Sequence, residues 1–275
     1  MTVTLRRVVA SEWTKLSGLR GPAAIVVATV VVSGLLTYAA ANASSVDPGF
    51  DPIDSLTAGL VLAQVGPLIL GVLVGTGEFG SGTYRATFTA VPRRLPVLAA
   101  QTLVTAAVAL VTALLAVGAA VVALLPPAAS RGIALDLTSD GTPQVLVGMV
   151  AFLVGLALLG LGVGALLRRP VPSVVAVVAV ALVLPIALVL AADAGTDPMA
   201  GAAGSTSLQD TVNTVVTLLP SGAGALLATP PGTGGVEGAP DLGPWGGGLV
   251  LLAWILVPLA AAAARLRGRD LTGSR

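Results

Sequence analysis

Residues 144–193 read QVLVGMVAFLVGLALLGLGVGALLRRPVPSVVAVVAVALVLPIALVLAAD. Two runs, 144–167 and 171–192, contain no Asp, Glu, Lys or Arg, and only Arg168, Arg169 and Pro170 separate them. A helix needs about 20 mostly apolar residues to cross a hydrocarbon core about 30 Å thick. Inside lipid every backbone N–H and C=O must be satisfied within the segment, which makes such a run helical. The stretch therefore predicts two membrane-spanning helices joined by a tight turn that holds two arginines at the bilayer surface.

The same pattern extends outward in both directions. Six uncharged runs, 21–46, 55–77, 95–130, 141–167, 170–192 and 242–264, are long enough to span. Trimming polar and Pro-rich ends places the spans near 22–43, 56–77, 96–125, 144–167, 171–192 and 246–264. The third is the longest and must tilt or project from the bilayer. The expected fold is an all-α integral membrane protein, with residues 1–275 forming one six-helix domain. The composition agrees. The 275 residues are 55% hydrophobic and 10% charged, with a mean hydropathy of +0.97, whereas a soluble domain is about 25% charged. A water-soluble fold is excluded, and so is a disordered chain, which needs low hydrophobicity and high charge. The chain has neither Cys nor His. That removes disulfides, zinc and haem ligation by those residues, thiol nucleophiles and Ser-His-Asp chemistry.

Two stretches need a decision. Residues 211–228, TVNTVVTLLPSGAGALLA, are apolar but short, and contain Asn213 and Pro220. They read as a re-entrant or interfacial segment rather than a seventh span. At the N-terminus, Arg6 and Arg7 precede an apolar run and Ala41-Asn42-Ala43 imitates a cleavage site. The run exceeds the roughly 7–15 residues of a signal h-region, so it reads as a retained first span.

Charge orients the six spans. The segments 1–21, 78–95, 168–170 and 265–275 hold 13 of the 14 basic residues. The alternate segments 44–55, 126–143 and 193–245 hold Arg131 and ten acids. The positive-inside rule places the arginine-rich side, with both termini, in the cytoplasm. A seventh span at 211–228 would send Arg265, Arg267, Arg269 and Arg275 outside. No charged residue lies within a span, and Gln64, Gln101 and Tyr38 are the larger polar groups there. Proton-coupled transporters place Asp, Glu or His within the bilayer, so a self-sufficient secondary transporter is disfavoured. Gly71-xxx-Gly75 and Gly160-xxx-Gly164 are patterns that let helices approach closely. In a chain with 34 Gly they also arise by chance and general packing.

Two cytoplasmic features stand out. Residues 3–20 form an amphipathic pattern, with Leu5, Val8, Val9, Trp13, Leu16 and Leu19 on one arc at 100° per residue. Basic residues opposite Trp and Leu describe a helix lying in the interface plane. Glu12 falls inside the apolar arc, which calls for pairing with Lys15 or Arg20, or for contact with a cytoplasmic partner. The second feature is the loop GEFGSGTYRATFTAVPRRLP, 77–96. Gly80-Ser81-Gly82 predicts a turn, Thr83 to Ala90 a short helix, and Pro92 its end. Arg93 and Arg94 serve as topology anchors. Glu78 sits at the membrane boundary on the basic side and needs a partner, for which Arg85 or the helix N-terminus near Thr83 would serve. There is no P-loop, since the one lysine, Lys15, lies outside any G-x-x-x-x-G-K-[ST] pattern.

Together, the six spans, the SEWTKL-containing helix, this loop and the large acidic segment between spans five and six resemble the membrane subunit of type-2, ABCG-like ABC exporters. The chain is particularly similar to the small Ala/Val/Gly/Arg-rich actinobacterial permeases. The family pattern E-[YF]-x-x-G-T-x-R-x-T followed by P-x-R is carried by Glu78, Phe79, Gly82, Thr83, Arg85, Thr87, Pro92, Arg93 and Arg94. The resemblance implies that this loop is the coupling helix docking on a separate ATP-binding subunit, with Glu78 its acidic position. It implies that the helix bearing Glu12, Trp13 and Lys15 is the interface helix. It also implies that 193–245, with Asn213 and Pro220, holds external re-entrant helices. ATP and Mg would sit on the partner, and this chain would bind no cofactor or metal and have no catalytic residue. A second copy or a related permease would complete the complex in the bacterial cell membrane, moving a hydrophobic or amphipathic cargo outward.

Other classes compete. A membrane-bound anchor, assembly or regulatory protein that transports nothing fits the same motifs. An intramembrane enzyme would have to use Ser33 or Ser173, neither with a visible base. Nucleic-acid binding is disfavoured, because the basic residues form short juxtamembrane clusters explained by topology and anionic lipid.

Overall fold

A computed structural model describes residues 4–46, 50–80, 95–138, 141–194, 207–230 and 238–268. All secondary structure among them is helical. The elements are α1 (Leu5–Ser17), α2 (Arg20–Ser44), a 3₁₀ turn at Pro52–Ser55, α3 (Leu60–Ala63), α4 (Val65–Gly80), α5 (Leu95–Ser130), α6 (Thr142–Leu167), α7 (Pro170–Val178), a π-helical turn at Ala179–Val183, α8 (Leu184–Ala194), α9 (Ser207–Leu218), α10 (Pro220–Leu226) and α11 (Gly243–Gly268). Six stretches are long and apolar enough to cross a membrane: Arg20–Ser44, Pro52–Gly77, Leu95–Ser130, Thr142–Leu167, Pro170–Asp193 and Gly243–Arg267. They coincide with the six expected spans, and 211–228 is not among them.

Three spans depart from a plain rod. The second is composite. Asp51 accepts the Ile53 N–H at 2.9 Å and starts the 3₁₀ turn, and the α-helix breaks at Gln64 before α4 carries on to Gly80. Residues 78–80, expected in the loop, therefore belong to a helix end. The third span does not stop at Leu125. It runs through Pro126 and Pro127 to Ser130, although each proline leaves the carbonyl four residues earlier without a helical N–H partner. Its 36 residues make a rod of about 54 Å, which explains the projection expected of it. The fifth span holds the π turn just before Pro185. A proline ring collides with the carbonyl four residues earlier, and the widened turn absorbs that conflict.

The bundle is organised around α6, which is 67% buried over its most apolar window, against 11% for Pro170–Asp193. Its main partner is α4, and the contact is made by the two glycine pairs. A Cβ placed on Gly71 would lie 1.9 Å from the Ala157 carbonyl oxygen, and one on Gly160 2.2 Å from that of Leu68. Gly75 meets Leu161 and Ala165, and Gly164 meets Val72 and Gly75. The two small-xxx-small patterns thus interlock with each other, which decides between close approach and chance. Helix α2 joins through small and hydroxylic residues. Ser33 Oγ donates to the Ala116 carbonyl of α5 at 3.0 Å, and Gly66 leaves room for Thr29. Leu68, Val72, Met149, Leu153 and Leu156 lie in the shared core with Ile255 of α11.

The described charges separate to the two ends of the bundle. Arg20, Arg168, Arg169, Arg265 and Arg267 lie where α2 begins and where α6 and α11 end. Asp51, Asp54, Asp136, Asp193, Asp210 and Asp241 lie at the opposite end, with Arg131 among them. The sides between are apolar and outward-facing, with Val27, Val31, Leu35, Val175, Ile186, Leu190, Leu249 and Leu256 exposed. This is the surface a lipid solvent requires.

Candidate functional site

The arginine end carries Glu12, Trp13 and Lys15 on α1 and Glu78 and Phe79 at the end of α4. Helix α1 packs on the first turns of α5, with Val8 buried against Val97 and Ala100. The expected apolar arc is split. Val8 is buried and Val9 and Leu16 partly so, while Trp13 is 49% and Leu19 60% exposed. One edge of the arc holds the bundle, and the other presents Trp13 outward. Glu12 is 5% exposed and accepts a hydrogen bond from Lys15 Nζ at 2.5 Å. Of the two candidate pairings, Lys15 supplies the partner, three residues on and on the same helical face. The ion pair explains how an acid sits in an apolar arc. It also keeps the carboxylate inward, while Trp13 and Lys15 are exposed together with Arg6, Arg7, Ser11 and Thr14.

Glu78 and Phe79 lie in the last turn of α4. Gly82, Thr83, Arg85, Thr87, Pro92, Arg93 and Arg94 lie outside the described residues, as does the helix expected from Thr83 to Ala90. The end of α4 is tied to the end of α6 through Gly75 and Gly164. Helix α6 closes at Arg168, whose φ of 60° is left-handed. Its terminal carbonyl at Leu166 accepts from Arg265 Nη1 at 2.5 Å. An arginine there satisfies an orphan carbonyl and complements the negative end of the helix dipole. Leu98, Ala165, Ala262 and Leu266 close this end with an apolar cluster.

At the aspartate end, residues 207–230 form a helical hairpin. Pro220 has no N–H to continue α9, and Leu219 before it is extended at φ −71°, ψ 155°. The chain turns there, and Pro220 starts α10. The turn is deep. The Leu218 carbonyl accepts the Trp254 indole N–H at 2.9 Å, eleven residues into α11, or about 16 Å along its axis. Helix α10 then climbs back between α6 and α11 on a glycine cradle. A Cβ on Gly148 would lie 1.7 Å from the Leu227 carbonyl oxygen, one on Gly247 2.4 Å from that of Ala223, and one on Gly224 2.2 Å from the Phe152 ring. The start of α9 stays near the approach to α11, where Gly238, at φ 76°, packs against Asp210. Asn213 is partly buried on α9, and Pro220 is buried at the turn. The hairpin enters and leaves at one end of the bundle, and 211–228 is not among the stretches long and apolar enough to cross a membrane. The anchoring role of Trp254 escaped the sequence reading. An indole in an otherwise aliphatic run was its signal, because a buried Trp N–H needs an acceptor.

Glu12 is the one buried ionisable residue among the described ones. Ser33 bonds to Ala116, and Ser173 Oγ donates to the Arg169 carbonyl at 2.7 Å. Both hydroxyls are thus engaged by backbone. No group of His, Cys, Asp and Glu able to hold a metal occurs among the described residues. A cleft of about 430 Å³ at the aspartate end is lined by Phe50, Asp51, Ile53, Asp54, Leu135 and Asp136. Asp51 and Asp136 are engaged by the loop there, the latter by the Thr138 N–H at 2.9 Å and hydroxyl at 2.6 Å. The close contacts run the length of the bundle. They link the end of α4 through α6 to a hairpin at the far end. In comparison with known proteins, the chain matches no family model and no curated sequence.

Proposed function

We propose that this chain is the membrane-spanning permease subunit of an ATP-driven exporter of the type-2 ABC class, with its arginine end in the cytoplasm of a bacterial cell. A separate ATP-binding subunit engages residues 78–94 and α1, and a second permease copy or a related one completes the complex. The observation that carries the proposal is the continuous chain of backbone-close contacts. It runs from the end of α4, through Gly71, Gly75, Gly160 and Gly164, to α6, and from Gly148 of α6 to α10. Contacts with no intervening side chain transmit displacement with little slack, because packed interfaces shift between discrete arrangements rather than deform smoothly. A partner that binds the cytoplasmic elements better in one arrangement shifts the equilibrium of the whole bundle. An uncharged interior suits a hydrophobic or amphipathic cargo better than an ion, and the hairpin lies where such a cargo would leave.

The test is reconstitution of the chain with its co-purified ATPase in liposomes carrying a fluorescent phospholipid or amphipathic dye. ATP-dependent movement of the probe, lost in Glu78→Lys, supports the exporter. Stable binding of the ATPase with no ATP-dependent movement of any probe favours a non-transporting anchor.

A further inference from the structure

We infer that Arg169 and Arg265, brought together at the α6–α7 corner, form a headgroup site for an anionic phospholipid. The inference needs only that the six helices sit in a bilayer and does not depend on transport.

Geometry brings these residues together from distant parts of the chain. Arg265 reaches the carbonyl of Leu166, three residues before Arg169. Arg169 and Arg265 are both exposed, and Arg265 lies in the last turns of α11. The corner is turned by Arg168 in a left-handed conformation, the only non-Gly residue with positive φ among the described residues. Helices ordinarily close there with Gly or Asn, and an arginine is tolerated at some conformational cost. The corner thus carries two consecutive positive charges where the backbone alone would favour glycine.

Opposing charge is scarce at this end. The described aspartates lie at the other end, and Glu12 is buried against Lys15. By sequence, Glu78 and Asp270 share this end with 13 of the 14 basic residues, which leaves it strongly positive. Apolar surface adjoins the cluster directly. Leu167 and Val171 flank the arginines and are exposed, and Val175 continues the strip one turn on. The span that begins there, Pro170–Asp193, is 11% buried in its most apolar window. Guanidinium groups at the rim of an exposed apolar strip match a phosphate headgroup whose acyl chain lies along that strip. Arginine's planar fork suits phosphate oxygens, and each basic residue near the membrane surface is worth about fivefold in affinity for anionic lipid.

The experiment is native mass spectrometry of the detergent-solubilised full chain with equal amounts of phosphatidylglycerol and phosphatidylcholine. The expected result is preferential retention of phosphatidylglycerol, reduced about 25-fold in the double variant Arg169→Gln/Arg265→Gln. The wild-type chain supplies a readout that needs no variant. The preference should collapse as salt rises from about 0.05 M to 0.5 M. Equal retention of the two lipids by the wild type would overturn the site, as would a preference that survives high salt. Displacement of the lipid by millimolar inorganic phosphate would show that the site takes free phosphate, and would also overturn it.

Discussion

Replacing Gly71 with Ala adds one methyl group where the backbones of α4 and α6 are in direct contact. The new Cβ would lie 1.9 Å from the Ala157 carbonyl oxygen and 2.7 Å from the Leu161 nitrogen. Carbon–oxygen contacts settle at about 3.3 Å or more, so α4 and α6 must separate locally by about 1.4 Å. Both atoms met are backbone, so no side chain can rotate away. A gap of that size forfeits much of the dispersion energy of neighbouring pairs, and overpacking of this kind costs about 1–3 kcal/mol. Alanine opposes this with a gain of about 1 kcal/mol in helix propensity. Gly118 isolates that gain, since it lies within α5 where an added Cβ would meet no atom within 4 Å. The expected outcome is a lowered Tm for Gly71→Ala and a Tm for Gly118→Ala at or above that of the wild type. Tryptophan fluorescence during thermal unfolding in one detergent reads both. An unchanged or raised Tm for Gly71→Ala would refute the interlock, and with it the rigid α4–α6 link on which the proposed mechanism depends.

Three further outcomes follow from other contacts. Trp254→Phe keeps the ring and removes the N–H that meets Leu218. About 0.5–1.5 kcal/mol should be lost, and amide exchange should accelerate in α9 while α10 stays protected on its glycine cradle. Gly148→Ala places a methyl 1.7 Å from the Leu227 carbonyl oxygen, so it should unseat α10. A single cysteine at Ala223, buried in the wild type, should then become reactive to maleimide in this cysteine-free chain. Lys15→Met strands the Glu12 carboxylate in its buried position and should lower Tm by more than Glu12→Gln does, because an unpaired buried charge costs more than a lost partner. The double variant Glu12→Gln/Lys15→Met should recover most of the loss.

Much of the fold was legible because the bilayer imposes a coarse rule that hydropathy alone can read. The six spans, the shortfall of 211–228 and the separation of Arg from Asp all follow from length and charge. Departures arise where hydrogen bonding or close contact decides. The break at Gln64, the π turn before Pro185 and the passage of α5 through Pro126 and Pro127 are backbone accommodations invisible to composition. The glycine pairs were visible as patterns, but only the crossing of α4 over α6 shows that they pair with each other. For the site, the Glu12–Lys15 pair could be read from spacing, since residues three apart share a helical face. The outward turn of Trp13 could not, because an arc of apolar residues does not say which edge meets protein and which meets lipid. The Trp254 bond joins residues 36 apart in the chain, beyond the reach of any local pattern. The coupling motif from Gly82 to Arg94 rests on the sequence resemblance.

The most direct measurement of the central claim is affinity purification of the tagged chain from solubilised native membranes, followed by identification of what accompanies it. The account predicts a cytoplasmic ATP-binding protein with a Walker A motif, held by the wild-type chain and lost from Glu78→Lys and from Arg85→Glu while both variants still fold. An ATPase retained equally by those variants would contradict the coupling-loop assignment. The absence of any ATPase from the wild-type chain would contradict the exporter itself.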